Sequence, residues 1–353
     1  HKKRFDLVKE ISLEIDELSS NLIILQTKSW IDKSRFNEIK EIFSCKNEND
    51  LLAEFFYLVS NLYSSQDEYE ESNFYLNISY FLNKKFKINL SLMADNYYLN
   101  ENYDQSLKVL QLFNSKDDLY YWFKIKQEAK IITEKENKDE ALKYIEKNFK
   151  NINNPSIKTL FDLATIYKNS KKYEKAIELY TTIMSVVEKD SLNYADLLYR
   201  RGGSFERLGE YEKSDKDLLE ALKIIPNNSY VLNYLAYSWL ERGQNINKAI
   251  LMLEKAYKEN ENDPYIIDSV GWGYFLVGKY NDAEKYMRRA IELMPNDPIV
   301  NDHYGDILWR LNRKIQAKYF WNSVLKMDDA EKEMIEKIKV KLINGLSKNN
   351  ESL

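Results

Sequence analysis

The chain has 353 residues, of which only 9 are Gly and 5 are Pro, too few turn-formers to punctuate a β-rich fold of this length. Lys plus Arg is 52 against 56 for Asp plus Glu, a formal charge of −4 with a pI near 5.6, so the basic excess that nucleic-acid binding draws on is missing. The 27 Tyr, 15 Phe and 6 Trp beside 31% charged residues suit amphipathic helices, and no apolar run approaches the ~20 residues that span a bilayer.

His1 stands where an initiator Met belongs and no signal-peptide pattern follows it, so the natural start is expected upstream. Residues 1–19, with FDLVKEISLEIDELS from Phe5, read as the second helix of a repeat whose first helix is absent. Small residues then recur at Thr27, Ser60, Ala94, Ala129 and Ala164. Four of these have a second small residue 12 positions on: Ser72, Ser106, Ala141 and Ala176. In the first unit Ile39 takes that place. Cys45, the one cysteine, falls in a predicted helix and permits no intrachain disulfide. Residues 20–153 therefore read as degenerate repeats.

Residues 154–329 carry the pattern in full. Gly202, Ala236, Gly271 and Gly305 are spaced by 34, 35 and 34 residues (236−202, 271−236, 305−271). Ser214, Ala249, Ala283 and Ala317 follow at 12 or 13 residues, then Ala221, Ala256 and Ala290 seven later. Antiparallel helices approach closely only where side chains are small, so one Gly, Ala or Ser on each helix marks the crossing. Gly209, Gly243 and Gly278 lie between the paired helices, and Pro226 and Pro295 close two units. Residues 330–353 read as a capping helix and tail, with Glu331, Lys332, Glu333, Glu336 and Lys337 facing water.

This pattern resembles the tetratricopeptide repeat, whose period is 34 residues. The resemblance implies an all-α, right-handed α-solenoid of about nine helix-turn-helix hairpins. Residues 198–325 carry more, in LYRRGGSFERLGEYEKS (198–214), LNYLAYSWLERGQNINKAILMLEKA (232–256), DPYIIDSVGWGYFLVGKYNDAEKYMRRAIELMPNDP (263–298) and VNDHYGDILWRLNRKIQA (300–317). They resemble a family of proteobacterial tetratricopeptide proteins. One branch is an outer-membrane lipoprotein that acts as adaptor for a periplasmic carboxyl-terminal processing protease and its substrates. That resemblance favours the bacterial periplasm or cell envelope, with the cytoplasm as the alternative. It implies a scaffold or adaptor that binds a protein or peptide. An oligomeric assembly subunit, or the regulatory region of a longer protein, stands as the alternative.

In the resembled fold the first helix of each hairpin lines a concave groove. The positions three before, one after and four after the small residue are then Tyr199, Gly203 and Glu206; Asn233, Tyr237 and Leu240; Asp268, Trp272 and Phe275; Asp302, Asp306 and Trp309, with Arg207 and Arg310 one step further. Tyr237, Trp272, Phe275 and Trp309 form an expected aromatic strip, bordered by a ladder of Asn233, Asp268 and Asp302. Chaperone-binding members of the family clamp a peptide carboxylate with Lys and Asn at such positions. Asp268 and Asp302 would repel one, so a basic or apolar segment is expected instead.

Nothing in the sequence points to catalysis. His1 and His303 are the two histidines, and His303 has no Cys or Glu at ligand spacing. No phosphate loop or nucleophile elbow is present, so no cofactor, metal or catalytic residue is assigned.

Overall fold

The computed structural model describes residues 4–42, 47–114 and 118–346; His1, Cys45 and the tail beyond 346 lie outside the described residues. Among the described residues there are twenty α-helices and no strand, so the chain is an all-α protein of helical hairpins. Contacts group it into two compact units, His1–Ile183 and Met184–Leu353.

The first unit holds α1 (Phe5–Leu13), α2 (Leu22–Asp32), α3 (Phe36–Ile42), α4 (Glu48–Ser64), α5 (Tyr69–Leu82), α6 (Ile88–Leu99), α7 (Tyr103–Leu110), α8 (Asp118–Lys135), α9 (Lys138–Phe149), α10 (Ile157–Asn169) and most of α11 (Tyr173–Met184). Asparagine and serine caps start many of the helices. Asn137 Oδ1, for instance, accepts from the amides of Asp139 and Glu140, each at 3.0 Å. The hairpins α4–α5 and α6–α7 cross at serines. Ser72 Oγ donates to the Ser60 carbonyl at 2.8 Å, and Ser106 Oγ to the Ala94 carbonyl at 2.9 Å. Each hydroxyl thereby ties together the two small residues of its hairpin, which is why serine serves there as well as alanine.

Helix α2 is placed differently. It runs across the N-terminal ends of later helices: Trp30 packs with Phe86 and Ile88, Gln26 Oε1 accepts from Tyr120 Oη at 3.4 Å, and just before the helix the Leu18 carbonyl accepts from Lys158 Nζ at 2.7 Å.

The second unit holds α12 (Leu192–Arg207), α13 (Tyr211–Ile224), α14 (Ser229–Glu241), α15 (Ile246–Glu259), α16 (Pro264–Leu276), α17 (Tyr280–Leu293), α18 (Pro298–Arg310), α19 (Lys314–Val324) and α20 (Lys332–Asn344). Odd and even neighbours pair as α12–α13, α14–α15, α16–α17 and α18–α19. The crossings are tight. A Cβ on Gly271 would stand 3.3 Å from the Ala283 carbonyl oxygen, and one on Gly202 would stand 3.1 Å from Leu218 Cγ. Ala221, Ala236, Ala249, Ala283, Ala290 and Ala317, like Ala164 and Ala176 upstream, have no accessible surface. Burial of that order at close packing is what lets each hairpin seat on the next.

Helix α20 closes the unit. Ile338 is fully buried against the last hairpin, while Glu331, Lys332, Glu333, Glu336 and Lys337 are exposed. Lys341 Nζ reaches Asp302 Oδ1 at 2.6 Å and both oxygens of Asp306 at 2.8 Å. Gly345, at φ +73°, turns the chain against the indole of Trp309 so closely that a Cβ there would overlap the ring.

Candidate partner-binding cleft

A cleft of about 380 Å³ opens over the first helices of three successive hairpins, α12, α14 and α16, and is closed at one side by the first turn of α18. Glu206, Arg207, Asn233, Tyr237 and Asp268 line it, so five of the side chains expected in a groove do meet in one depression. Tyr234, Tyr265 and Ser269 complete the walls, with Asp297 and Ile299 from the start of α18.

The tyrosines are held from behind. Tyr234 Oη donates to Glu206 Oε2 at 3.0 Å, and its ring meets Tyr199 edge-on at 5.8 Å. Burial, reinforced by the Glu206 carboxylate, raises the Tyr234 hydroxyl pKa well above the ordinary phenol value. Tyr237 is raised too, first by burial and then by Glu241 and Asp268. Both therefore stay neutral and act as apolar surfaces with a hydroxyl tip. Asn233 lines the cleft wall, and its Oδ1 is buried with no hydrogen-bond partner among the described residues. An isolated buried acceptor of that kind costs about 1–3 kcal/mol until something donates to it. Glu206, Asp268 and Asp297 line the cleft beside Arg207, which lies 3.6 Å from Glu206, and Asp268 is answered from behind by His303.

The other expected groove residues lie elsewhere. Leu240, 1% exposed, and Phe275, 7% exposed, are core. Leu240 Cδ1 lies 3.1 Å from where a Gly273 Cβ would be, so this side chain faces the next hairpin, whereas Glu206, at the same position on α12, reaches the cleft. The acidic ladder is also not open. Asp268 is buried against His303, Nδ1 to Oδ1 at 2.9 Å, while Asp302 and Asp306 are neutralised by Lys341. Trp321 Nε1 also donates to Asp306 Oδ1 at 3.0 Å.

Trp272 is half-buried, stacked on His303 at 3.9 Å and on Phe275 at 4.6 Å, with Nε1 donating to Glu241 at 2.7 Å. Trp309 is half-buried between Trp321, 5.3 Å away, and Gly345, and Arg310 beside it is half-buried on α18. Those indoles pack between helices of this chain, so the expected aromatic strip is replaced by a tyrosine-walled cleft.

Asp297 escaped the groove rule because it precedes its helix: its Oδ1 caps α18, accepting from the Ile299 and Val300 amides at 2.9 and 3.0 Å. The signal that locates it is Asp297-Pro298, a cap followed by proline at the first helical position. Among the described residues no group of three or more His, Cys, Asp or Glu side chains could hold a metal ion, and no helix is long and apolar enough to cross a membrane.

Residues 124–328 match the family profile described as Tetratricopeptide repeat. A 143-residue stretch is 32% identical to the TPR repeat-containing protein PA4667 of Pseudomonas aeruginosa, covering 40% of this chain and 23% of that protein. The chain thus spans about a quarter of the length of that relative. Among solved structures, TTC0263, a thermophilic TPR protein of Thermus thermophilus, is similar with TM-score 0.46 and 16% identity over 53% of this chain and 100% of its own. MamA 41-end from Desulfovibrio magneticus RS-1 is similar with TM-score 0.41 and 18% identity over 50% and 97%.

Proposed function

Because the chain belongs to the tetratricopeptide repeat family, we propose that it is a protein-binding scaffold whose cleft over α12, α14 and α16 holds a segment of a partner protein. The observation that carries this reading is the buried, partnerless Oδ1 of Asn233 in a tyrosine-walled depression. A backbone N–H of an extended segment satisfies such an acceptor, and Tyr234, Tyr237 and Tyr265 supply the apolar contact. Glu206 and Asp297 against the single Arg207 favour a segment carrying Lys or Arg beside its apolar residues and disfavour an acidic one. The resemblance of residues 198–325 to envelope adaptors supports an adaptor role in the bacterial envelope, with a processing protease or its substrates as the class of partner.

The test is selection of displayed random peptides on the full chain, repeated with Tyr237→Ala and Asn233→Leu. The expected peptides combine a cation with apolar residues, and both variants lose them while keeping wild-type helicity. Each cleft tyrosine carries about 1–3 kcal/mol, a loss of roughly tenfold or more in affinity. Enrichment of acidic peptides, or full retention by both variants, overturns the reading.

A further inference from the structure

The hairpin α4–α5 turns an apolar face outward. Leu51, Phe55, Leu58 and Leu62 are each between 56% and 64% exposed and follow one another at steps of four, three and four. On α5, Phe74 and Phe81 are 62% and 79% exposed. The two stripes are joined into one surface by a run of rings: Phe55 to Phe56 at 5.5 Å, Phe56 to Tyr75 at 6.0 Å, and Tyr75 to Phe74 at 5.3 Å. The corresponding helices α12, α14, α16 and α18 each expose a single large apolar side chain, in the first turn or two. Among the described residues, α6 packs along the hairpin, while α2 and α3 meet α4 at Tyr57, which shares a cluster with Trp30, Phe86 and Ile39 and lies about a third of a turn from the stripe.

Two further observations define what fits there. Steps of four, three and four are the a/d seam of a coiled coil, so the stripe on α4 matches another helix laid alongside it. Residues 48–82 also carry seven carboxylates, three on α4, two in the turn and two on α5, and no Lys, Arg or His, in a chain with 52 Lys plus Arg. Lys85, just outside, is the cation that acts on Asp50. Burial and the neighbouring Asp50 raise the pKa of Glu54, the mark of a carboxylate short of positive charge.

We propose that the outer face of α4 and α5 docks an amphipathic helix of a partner protein, apolar along its seam and flanked by Lys or Arg. The site is separate from the cleft and does not rest on the reading given for it. Aliphatic and aromatic side chains of α4 interdigitate with the partner's seam, and the exposed carboxylates at the two ends of the hairpin, Glu48 at one and Asp67, Glu68, Glu70 and Glu71 at the other, meet its flanking cations.

The probes are synthetic helices of about three heptads with leucine at the seam positions: one with lysine flanks, one with glutamate flanks, and one with the lysine composition in shuffled order. Each is labelled and titrated with the full chain, following fluorescence anisotropy at about 0.15 M salt. The lysine-flanked helix binds at least tenfold more tightly than either control. Phe55→Glu with Leu58→Glu removes that binding, as does the milder Leu58→Ser with Phe81→Ser should the charged pair disturb folding by circular dichroism. Tyr237→Ala leaves it unchanged. Equal binding of the glutamate-flanked or shuffled helix overturns the proposal, as does retention by both double variants. A concentration-dependent mass that the α4 variants abolish would assign the face to a second copy and overturn it equally.

Discussion

His303 Nδ1 lies 2.9 Å from Asp268 Oδ1, joining helices α18 and α16 through a buried pair 35 residues apart in sequence. The Trp272 indole covers this pair, stacking on the imidazole at 3.9 Å. Burial alone would lower the histidine's pKa, yet the Asp268 carboxylate, helped by Asp302 and Asp306, outweighs it and the net direction is upward.

Stability should therefore depend on pH through this residue. A histidine whose folded pKa is raised contributes fully below its unfolded value near 6.5, and that contribution fades as pH rises through the higher folded value. Thermal melts from about pH 6 to 9 should show a falling arm that His303→Gln flattens. An unchanged arm in the variant would show that the pair does not titrate in this way.

Lys341 is the cation on which Asp302 and Asp306 depend. Burial pushes the Asp306 carboxyl above the ordinary carboxylate range against the pull of Lys341, so removing the ammonium strands two acids in the interior. Lys341→Met should cost about 3 kcal/mol and release α20, seen as faster amide exchange over residues 332–344. Adding Asp306→Asn should recover part of the loss.

Gly305 faces the fully buried indole of Trp321, and a Cβ there would overlap the ring. Gly305→Ala should destabilise the second unit by about 1–3 kcal/mol through overpacking. Gly209→Ala makes a useful contrast: nothing lies within 4 Å of its Cβ position, but φ is +74°, so the cost of about 1 kcal/mol is conformational. Urea midpoints of both variants check the pair.

Glu101 sits at φ +55° in the turn between α6 and α7, where the later hairpins use Gly209 and Gly278. The left-handed conformation costs a non-glycine residue about 1–2 kcal/mol, and glycine returns about 0.5–1 kcal/mol of that to the unfolded chain's entropy. Glu101→Gly should therefore stabilise the first unit by roughly 0.5–1 kcal/mol, measurable as a rise in Tm. No gain would mean that this turn holds Glu101 without strain.

Trp309 and Trp272 are buttresses between helices. Trp309→Ala should lower stability by about 2–3 kcal/mol, because the ring supports both Trp321 and the Gly345 turn. Retention of wild-type Tm would return the indole to the set of free binding side chains.

The helical hairpins were legible because the crossing admits only small side chains, and a residue such as Gly271 or Ala283 announces that steric demand in its identity alone. The groove was legible in part. Asn233 and Tyr237 follow from angular position on α14, whereas Leu240, at the next turn, is covered by Gly273 of α16, a contact that helical periodicity does not encode. The roles of His303 and Lys341 rest on partners 35 to 39 residues away, and the course of α2 rests on Gln26 meeting Tyr120 94 residues on. Such pairings are set by how the hairpins lean on one another, after each has formed.

The lysine that closes the last hairpin also restricts how this chain can lengthen. A copy of the final hairpin inserted before α20 would bring another α18-like helix against this one, setting a copied histidine against Asp302 as His303 is set against Asp268, but no ammonium against Asp306. Asp306 would then be enclosed without the ammonium that now meets it. Growth by tandem duplication is thus disfavoured at this end unless a new cation arises with it, whereas upstream hairpins, each tied within itself by a serine hydroxyl to a carbonyl as in Ser72 to Ser60, duplicate with that bonding intact.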